Sequence, residues 1–277
     1  MRVLADSAEL GAWRAAQGDV AFVPTMGNLH AGHLRLIEAA RWHAPAVIAS
    51  IFVNPLQFGA GEDYERYPRT WESDCARLAA AGCDAVFAPA VEDMYPQPQT
   101  CFVAPPPLAE ELCGAYRPGH FRGVLTVVLK LFNLVRPQTA LLGKKDYQQL
   151  ALVRAMAEQF ALPIAIIGVD TVRADDGLAL SSRNGYLSAS ERAEAPRLYQ
   201  TLSVLAAGLQ AGERDFHRLE QDAAAALTDA GWKVDYVAVR EAGTLAAPRA
   251  QGGRLVVLAA AWLGSTRLID NLETAGP

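Results

Sequence analysis

With 277 residues, 51% of them hydrophobic and 20% charged, the chain has room for one large or two modest domains around a sizeable core, and its composition excludes an intrinsically disordered protein. Its formal net charge of −5 gives no general attraction to a polyanion, so no nucleic-acid partner is expected. The longest apolar run, Leu255 to Leu263, is about half the ~20 residues of a membrane helix, so no membrane partner is expected either.

Asp6 and Glu9 interrupt the apolar character that an export signal would need, so a cytoplasmic location is expected. Ser7 is expected to cap a first helix that ends at Gly18. Val20 to Val23 reads as a buried strand broken by Pro24 and Gly27, and the spacing of Leu34, Ile37 and Ala40 predicts a helix from near Gly32. Between them lies the turn Met26-Gly27-Asn28-Leu29-His30-Ala31-Gly32-His33. A strand-to-helix turn leaves backbone N–H groups without partners and points the positive end of the helix dipole outward, while Gly27 and Gly32 let the backbone approach a phosphate. His30 and His33 are three apart and can face one ligand, where imidazole N–H groups stabilise charge developing on a phosphoryl group. The residues by themselves leave two other readings open. One is zinc ligation, although no Cys or carboxylate lies close by in sequence, and the other is a polar helix cap.

Ala46 to Val53 is a nearly continuous apolar run, as in a parallel strand covered on both faces, so strand, helix and strand form a βαβ unit. Ligands of such sheets bind beyond the carboxyl ends of the strands, which brings His33 and the segment Asn54 to Gln57 to one crevice. Gln57 is a candidate for holding a second, polar substrate, against the alternative of a solvent-exposed loop amide. Glu62 and Asp63 read as part of a solvated loop, since two adjacent carboxylates do not make a coordination shell. A helix capped by Thr70 and closed by Gly82 and a strand from Asp84 to Ala88 follow, then a proline-rich excursion from Pro96 to Pro107. Gly119 to Gly123 reads as a flexible segment ahead of a buried helix over Val124 to Val135 that stops before Pro137, with His120 and Arg122 either facing substrate or holding the loop. Cys75, Cys83, Cys101 and Cys113 contain no Cys-x-x-Cys pair and are expected as free, buried thiols.

Thr139 to Leu142 is a further strand, and Gly143-Lys144-Lys145-Asp146 opens a helix through Gln149 to Phe160. A lysine beside a glycine at a strand's end can reach phosphates, and Asp146 can take a ribose hydroxyl or cap the helix. Leu162 to Val169 is the last candidate parallel strand, and the character of the chain changes near Thr171. The expected organisation is therefore α/β: a parallel-sheet domain over 1–171 and a smaller α+β domain over 172–277. In the latter, Asp176-Gly177 reads as a hairpin turn, Leu180 to Gly185 as a polar loop and Ser188 to Glu191 as a capping box. Helices are expected over about 189–210, interrupted at Pro196, and about 214–230, followed by strands at Lys233 to Val239, near Leu255 and near Leu268. Taken alone, Ser181-Ser182-Arg183-Asn184 reads as an ordinary turn.

Five motifs in order, Pro24 to His33, Phe52 to Phe58, Gly119 to Gly123, Gly143 to Gln149 and Leu180 to Asn184, resemble those of the pantothenate synthetase family. That family belongs to the nucleotidylyltransferase superfamily with a His-x-Gly-His motif, which is distantly shared with class I aminoacyl-tRNA synthetases. The resemblance implies a Rossmann-like N-terminal domain and ATP-dependent condensation of (R)-pantoate with β-alanine through a pantoyl adenylate, releasing AMP and pyrophosphate. It implies ATP contacts from Met26 to His33, from Gly143, Lys144, Lys145 and Asp146, from Val172, and from Leu180, Ser181, Ser182 and Arg183. Lys144 is a variable position of the pattern. Ser181 to Arg183 resemble the mobile Lys-Met-Ser-Lys-Ser loop of the synthetases, set at the junction of the two domains. By the same resemblance His33, Lys145 and Arg183 are catalytic, Gln57 and Gln149 bind pantoate, Gln57 lies close to β-alanine, and Mg2+ is carried by the ATP phosphates with no metal site on the protein. A homodimer is expected on the same ground. The competing readings are a nucleotidylyltransferase acting on a phosphate acceptor, against which Gln57 and Gln149 argue as neutral amides, and a non-catalytic nucleotide-binding sensor.

Overall fold

In the computed structural model, which describes residues 1–248 and 253–276, the short apolar runs between turn residues become parallel strands. The chain divides into two units, Met1–Lys144 with Leu152–Asp170 and Lys145–Ala151 with Thr171–Pro277. The first contains β1 (Arg2–Leu4), α1 (Ser7–Ala15), β2 (Val20–Thr25), α2 (Ala31–Ala40), β3 (Ala46–Ile51), α3 (Trp71–Ala80), β4 (Ala85–Phe87), α4 (Val91–Met94), α5 (Cys113–Tyr116), α6 (His120–Val135), β5 (Thr139–Gly143), the later turns of α7 (Tyr147–Gln159) and β6 (Ala165–Val169). Its sheet runs β1-β4-β3-β2-β5-β6, and every pairing is parallel. All of β2 except Pro24 and all of β3 except Ile51 is buried, as strands covered on both faces must be. Val20 pairs with Ala46 and Thr25 with Ile51, so the two strands end level and their loops leave the carboxyl edge side by side.

The structure departs from the sequence expectations at several element ends. Asp6, not Ser7, caps α1: its carboxylate accepts from the Ala8 and Glu9 N–H groups, both at 2.8 Å, and the helix ends at Ala15. β1 was not expected, because three residues carry too little alternation to be read as a strand. The Gly119 to Gly123 segment is not a loop. Gly119 turns at φ +80 and α6 starts at His120, since Phe121, Val124, Leu125 and Val128 already form its buried face. Phe132 of α6 meets Phe22 of β2 edge-on at 6.3 Å. All four cysteines are free, but only Cys83 and Cys113 are buried, and Cys101 is exposed.

In the second unit β7 (Lys233–Glu241), β8 (Arg254–Leu263) and β9 (Thr266–Ala275) form an antiparallel sheet in that order. With it go α8 (Ala189–Glu194), α9 (Arg197–Gln210) and α10 (Phe216–Asp229). Leu198, Leu202, Leu205 and Leu209 recur at helical spacing on α9 and join one core with Val257, Ala259 and Ala261 of β8. The Ser188 capping box forms as expected, with the Glu191 N–H donating to Ser188 Oγ at 3.3 Å and the Ser188 N–H donating to Glu191 Oε2 at 2.7 Å. Pro196 separates α8 from α9. Among the described residues no helix is long and apolar enough to cross a membrane.

Candidate functional site

The turn after β2 is built by side chains on its own amides. His30 is the N-cap of α2, and its Nδ1 accepts from the Gly32 N–H at 3.1 Å. His33 Nδ1 accepts from the His30 N–H at 3.2 Å, and the two rings lie 4.1 Å apart. A neutral imidazole that accepts through Nδ1 carries its proton on Nε2, so both rings are fixed in the Nε2–H tautomer, the form that can donate to a phosphate oxygen. The polar-cap reading and the phosphate reading are thus compatible, because each ring caps with one nitrogen and keeps the other as a donor.

Buried Asp74, on the first turn of α3, completes this turn. One carboxylate oxygen accepts from the Asn28 N–H and the other from the Leu29 N–H, both at 2.8 Å, and Arg77 NH1 donates to the Leu29 carbonyl at 2.5 Å. The Gly27 N–H donates to Thr25 Oγ1 at 3.3 Å. The expectation of unpartnered amides is therefore corrected for Gly27, Asn28, Leu29, His30 and Gly32, which all donate to side chains. Gly27 is required twice over: its φ is +85, and a Cβ there would lie 3.1 Å from Ile51 Cγ2 and 3.2 Å from Asp74 Oδ2. A cavity of about 300 Å³ opens beside this turn, lined by Met26, Gly27, Phe52, Arg69, Trp71 and Asp74 among others.

The turn after β3 aims Gln57. Asn54, 1% exposed, has its amide orientation set by groups that can only donate or only accept. Its Oδ1 accepts from the Leu56 N–H at 3.3 Å and from Tyr95 Oη at 2.8 Å, and its Nδ2 donates to the Gly123 carbonyl at 3.2 Å and to Gln57 Oε1 at 3.1 Å. Gln57 Oε1 is thereby used as an acceptor, and its Nε2 donates to Met26 Sδ at 3.2 Å. A thioether is a weak acceptor, so this N–H is readily exchanged onto a ligand oxygen. Tyr95, whose hydroxyl completes the Asn54 shell, has its pKa pushed above the usual phenol value by burial. Met26 and Gln57, from two different turns, are so brought into contact in the first unit.

Glu62 is not the solvated carboxylate expected. It receives a fork from Arg117, Nε to Oε1 at 2.8 Å and NH2 to Oε2 at 2.6 Å. Burial works to raise its carboxyl, but the hydrogen bonds and charge of Arg117 outweigh it and hold the pKa below the ordinary value. Arg117 NH1 also donates to His120 Nε2 at 2.9 Å, and His120 Nδ1 donates to the Gln57 carbonyl at 2.8 Å. Arg122 lies with its guanidinium 3.8 Å over the Phe102 ring.

In the second unit, Lys145 leads into α7 from a single turn of 3-10 helix over Lys144–Asp146. Asn271 Nδ2 of β9 donates to the Lys145 carbonyl at 2.8 Å, and Tyr147 Oη donates to Glu273 Oε1 at 2.7 Å, which ties this segment to β9. Arg173 forks onto Asp270 at 2.7 and 2.9 Å and donates to the Asn271 carbonyl at 3.1 Å, so the Lys145 segment and the hairpin stem share one network. The hairpin turns at Gly177, φ +94, and brings the Leu180 N–H to the Val172 carbonyl at 3.0 Å. The Ser-Ser-Arg segment is not an irregular loop. Ser181 Oγ accepts from the Arg183 N–H at 3.3 Å and starts a 3-10 helix over Ser182–Tyr186. Ser181, Ser182 and Arg183 are all half-buried there, as are Lys145 and Gln149, while Asp146 is exposed. Lys144, in the first unit, pairs with Asp170 at 2.7 Å. Among the described residues no group of three or more His, Cys, Asp or Glu side chains is arranged to hold a metal.

Asp74, Asn54, Arg117 and the part played by Glu62 were missed as site residues, whereas His120 holds the Gln57 backbone, the second of the two readings open for it. Asp74 gave one signal, an acid in a helix's first turn, but that reads equally as a partner for the helix dipole.

The family model described as Pantoate-beta-alanine ligase matches residues 2–273. The pantothenate synthetase of Chromobacterium violaceum is 61% identical over 274 residues, covering 99% of each chain. That of Neisseria meningitidis serogroup B is 55% identical over 278 residues, covering both chains in full. The crystal structure of pantothenate synthetase from Thermus thermophilus superposes with a TM-score of 0.92 at 47% identity, over 98% of this chain and 99% of that one. A pantoate-beta-alanine ligase from Francisella tularensis, crystallised in complex with beta-gamma ATP and beta-alanine, has a TM-score of 0.82 at 33% identity over 98% and 97%.

Proposed function

Because the chain belongs to the pantoate–beta-alanine ligase family, we propose that its two turns and its Lys145 and Ser181 to Arg183 segments serve the AMP-forming ligation of pantoate to β-alanine. The full-length match over residues 2–273 carries this reading. ATP is a substrate, and the ATP and β-alanine complex of the Francisella relative supports both as ligands here. The pantoate carboxylate attacks the α-phosphate, forming pantoyl adenylate as pyrophosphate leaves. The β-alanine amine then attacks the acyl carbonyl, loses a proton and expels AMP. Neither step uses a covalent bond to the protein. What the protein supplies is position and charge neutralisation.

In the first step negative charge builds on the α-phosphate and on the departing pyrophosphate. Nε2–H of His33 is a donor already fixed in the right tautomer, and the cations Lys145 and Arg183 supply the charge, with the Ser181 and Ser182 hydroxyls as further donors. Gln57 Nε2–H exchanges Met26 Sδ for a pantoate oxygen, and Gln149 is the second pantoate contact. Mg2+ arrives on the ATP phosphates. A division at 171/172, a cytoplasmic location and a homodimer complete the proposal; sedimentation at micromolar concentration that gave only monomer would remove the last.

The test is an assay with ATP, Mg2+, pantoate and β-alanine. AMP and the amide product should appear in equal amounts and depend on all three substrates. Turnover with a phosphomonoester acceptor and none with pantoate would favour the nucleotidylyltransferase reading.

A further inference from the structure

Gln57 is held at two levels. Asn54 orients its side chain, and a chain of three side chains holds its backbone. The directions along that chain are unambiguous. A guanidinium only donates, so His120 Nε2 must accept from Arg117 at 2.9 Å, which leaves the His120 proton on Nδ1 for the Gln57 carbonyl at 2.8 Å. Arg117 is fixed in turn by its fork onto Glu62, at 2.8 and 2.6 Å. Glu62 follows Gln57 by five positions, so the chain closes residues 57–62 into a ring anchored on the first turn of α6. Gly123 lets α6 come this close, for a Cβ there would lie 2.1 Å from the Leu56 carbonyl oxygen and 2.7 Å from Gln57 Cα.

We propose that Glu62, Arg117 and His120 are positioning residues that act through Gln57, setting the backbone from which its Nε2–H is aimed at pantoate. The proposal rests on the reading of Gln57 as a pantoate contact. A purely structural role is the competing account, since Phe58 also packs on Tyr64 and Tyr67 at 5.4 and 6.1 Å and holds the same loop. The two differ in what a variant changes. Loss of loop packing lowers thermal stability, whereas loss of aim raises KM for pantoate and leaves KM for ATP as it was.

The experiment measures both KM values and the melting temperature for Glu62→Gln, His120→Leu, His120→Asn and Gln57→Ala, and for the double variant Gln57→Ala with His120→Leu. Glu62→Gln removes the charge of the fork with little change of shape, and His120→Leu removes the donor. Each should raise KM for pantoate about tenfold, as expected for a lost charge-assisted or buried hydrogen bond. His120→Asn keeps a side-chain N–H near the position of Nδ1 but loses the Nε2 acceptor for Arg117, so its KM for pantoate should lie between those of wild type and His120→Leu. In the Gln57→Ala background His120→Leu should add almost nothing, because its route to the substrate is gone. If Gln57→Ala raises KM for pantoate but Glu62→Gln and His120→Leu do not, the positioning proposal is overturned and the Gln57 contact stands. An unchanged KM in Gln57→Ala overturns both. Additive effects in the double variant also overturn the route through Gln57, and if His120→Leu fails to fold, Glu62→Gln and His120→Asn still decide.

Discussion

At the scale of single residues, roles divide between side chains that meet the substrate and side chains that hold those that do. On the function proposed above, His33, Lys145 and Arg183 belong to the first kind. Replacing any of them by Ala should lower kcat more than tenfold, about 1.4 kcal/mol or more of lost transition-state stabilisation, with the circular dichroism spectrum unchanged. Near-normal turnover in a folded variant would take that residue out of the mechanism. Asp74 belongs to the second kind. Both of its oxygens accept backbone N–H groups in a buried place, so Asp74→Asn must set an amide N–H against one of those donors. The expected cost is about 1–3 kcal/mol, with a raised KM for ATP because the His30 to His33 geometry hangs on that turn. Denaturant unfolding and ATP saturation curves check the two effects, and an unchanged KM would confine Asp74 to stability.

At the scale of elements, α6 packs against the Asn54 to Gln57 turn through Gly123. Gly123→Ala puts a methyl 2.1 Å from the Leu56 carbonyl oxygen, which backbone can relieve only by moving apart. It should destabilise the protein by about 1–3 kcal/mol and raise KM for pantoate, and a wild-type unfolding midpoint would contradict it. The same element explains what was legible in the sequence. β2, α2 and β3 were readable from their apolar period and the break at Gly27, although Pro24 does not end β2, which runs on to Thr25, and the Ser188 box was readable because its chemistry is local. The start of α6 was hidden by two glycines: Gly119 does turn the chain, but Gly123 is a packing glycine inside the helix. A single sequence cannot tell these two uses apart. Glu62 was hidden for a related reason, since its partner Arg117 lies 55 positions away and a charged loop shows no pattern that would announce it. The candidate histidines were legible as a pair, but their tautomers were not, because Nδ1 is claimed by amides whose direction only the turn sets.

At the scale of the whole molecule, Glu62, Asp176 and Glu194 all titrate below their ordinary values in the folded chain. A carboxylate with a depressed folded pKa contributes stability that is present above its unfolded pKa and is lost as pH falls through the folded one. The melting temperature should therefore be nearly flat above about pH 5 and fall below about pH 4. Asp176 is exposed and its pair with Arg192 is screened by solvent, so it contributes little of this, and Glu62→Gln should flatten part of the acid slope. The last prediction concerns the order of chemical events. If pantoate alone attacks ATP, the first half-reaction runs backwards without β-alanine, and labelled pyrophosphate should enter ATP in the presence of enzyme, Mg2+ and pantoate. Omitting pantoate should stop the exchange. Gln57→Ala should lower it, because a misaligned carboxylate loses the near-attack geometry, while His33→Ala in the first unit and Arg183→Ala in the second should each suppress it by removing charge stabilisation. Exchange that needed β-alanine would mean that no free-standing adenylate forms. Exchange driven by a phosphomonoester and not by pantoate would assign the same two histidines to nucleotidylyl transfer instead.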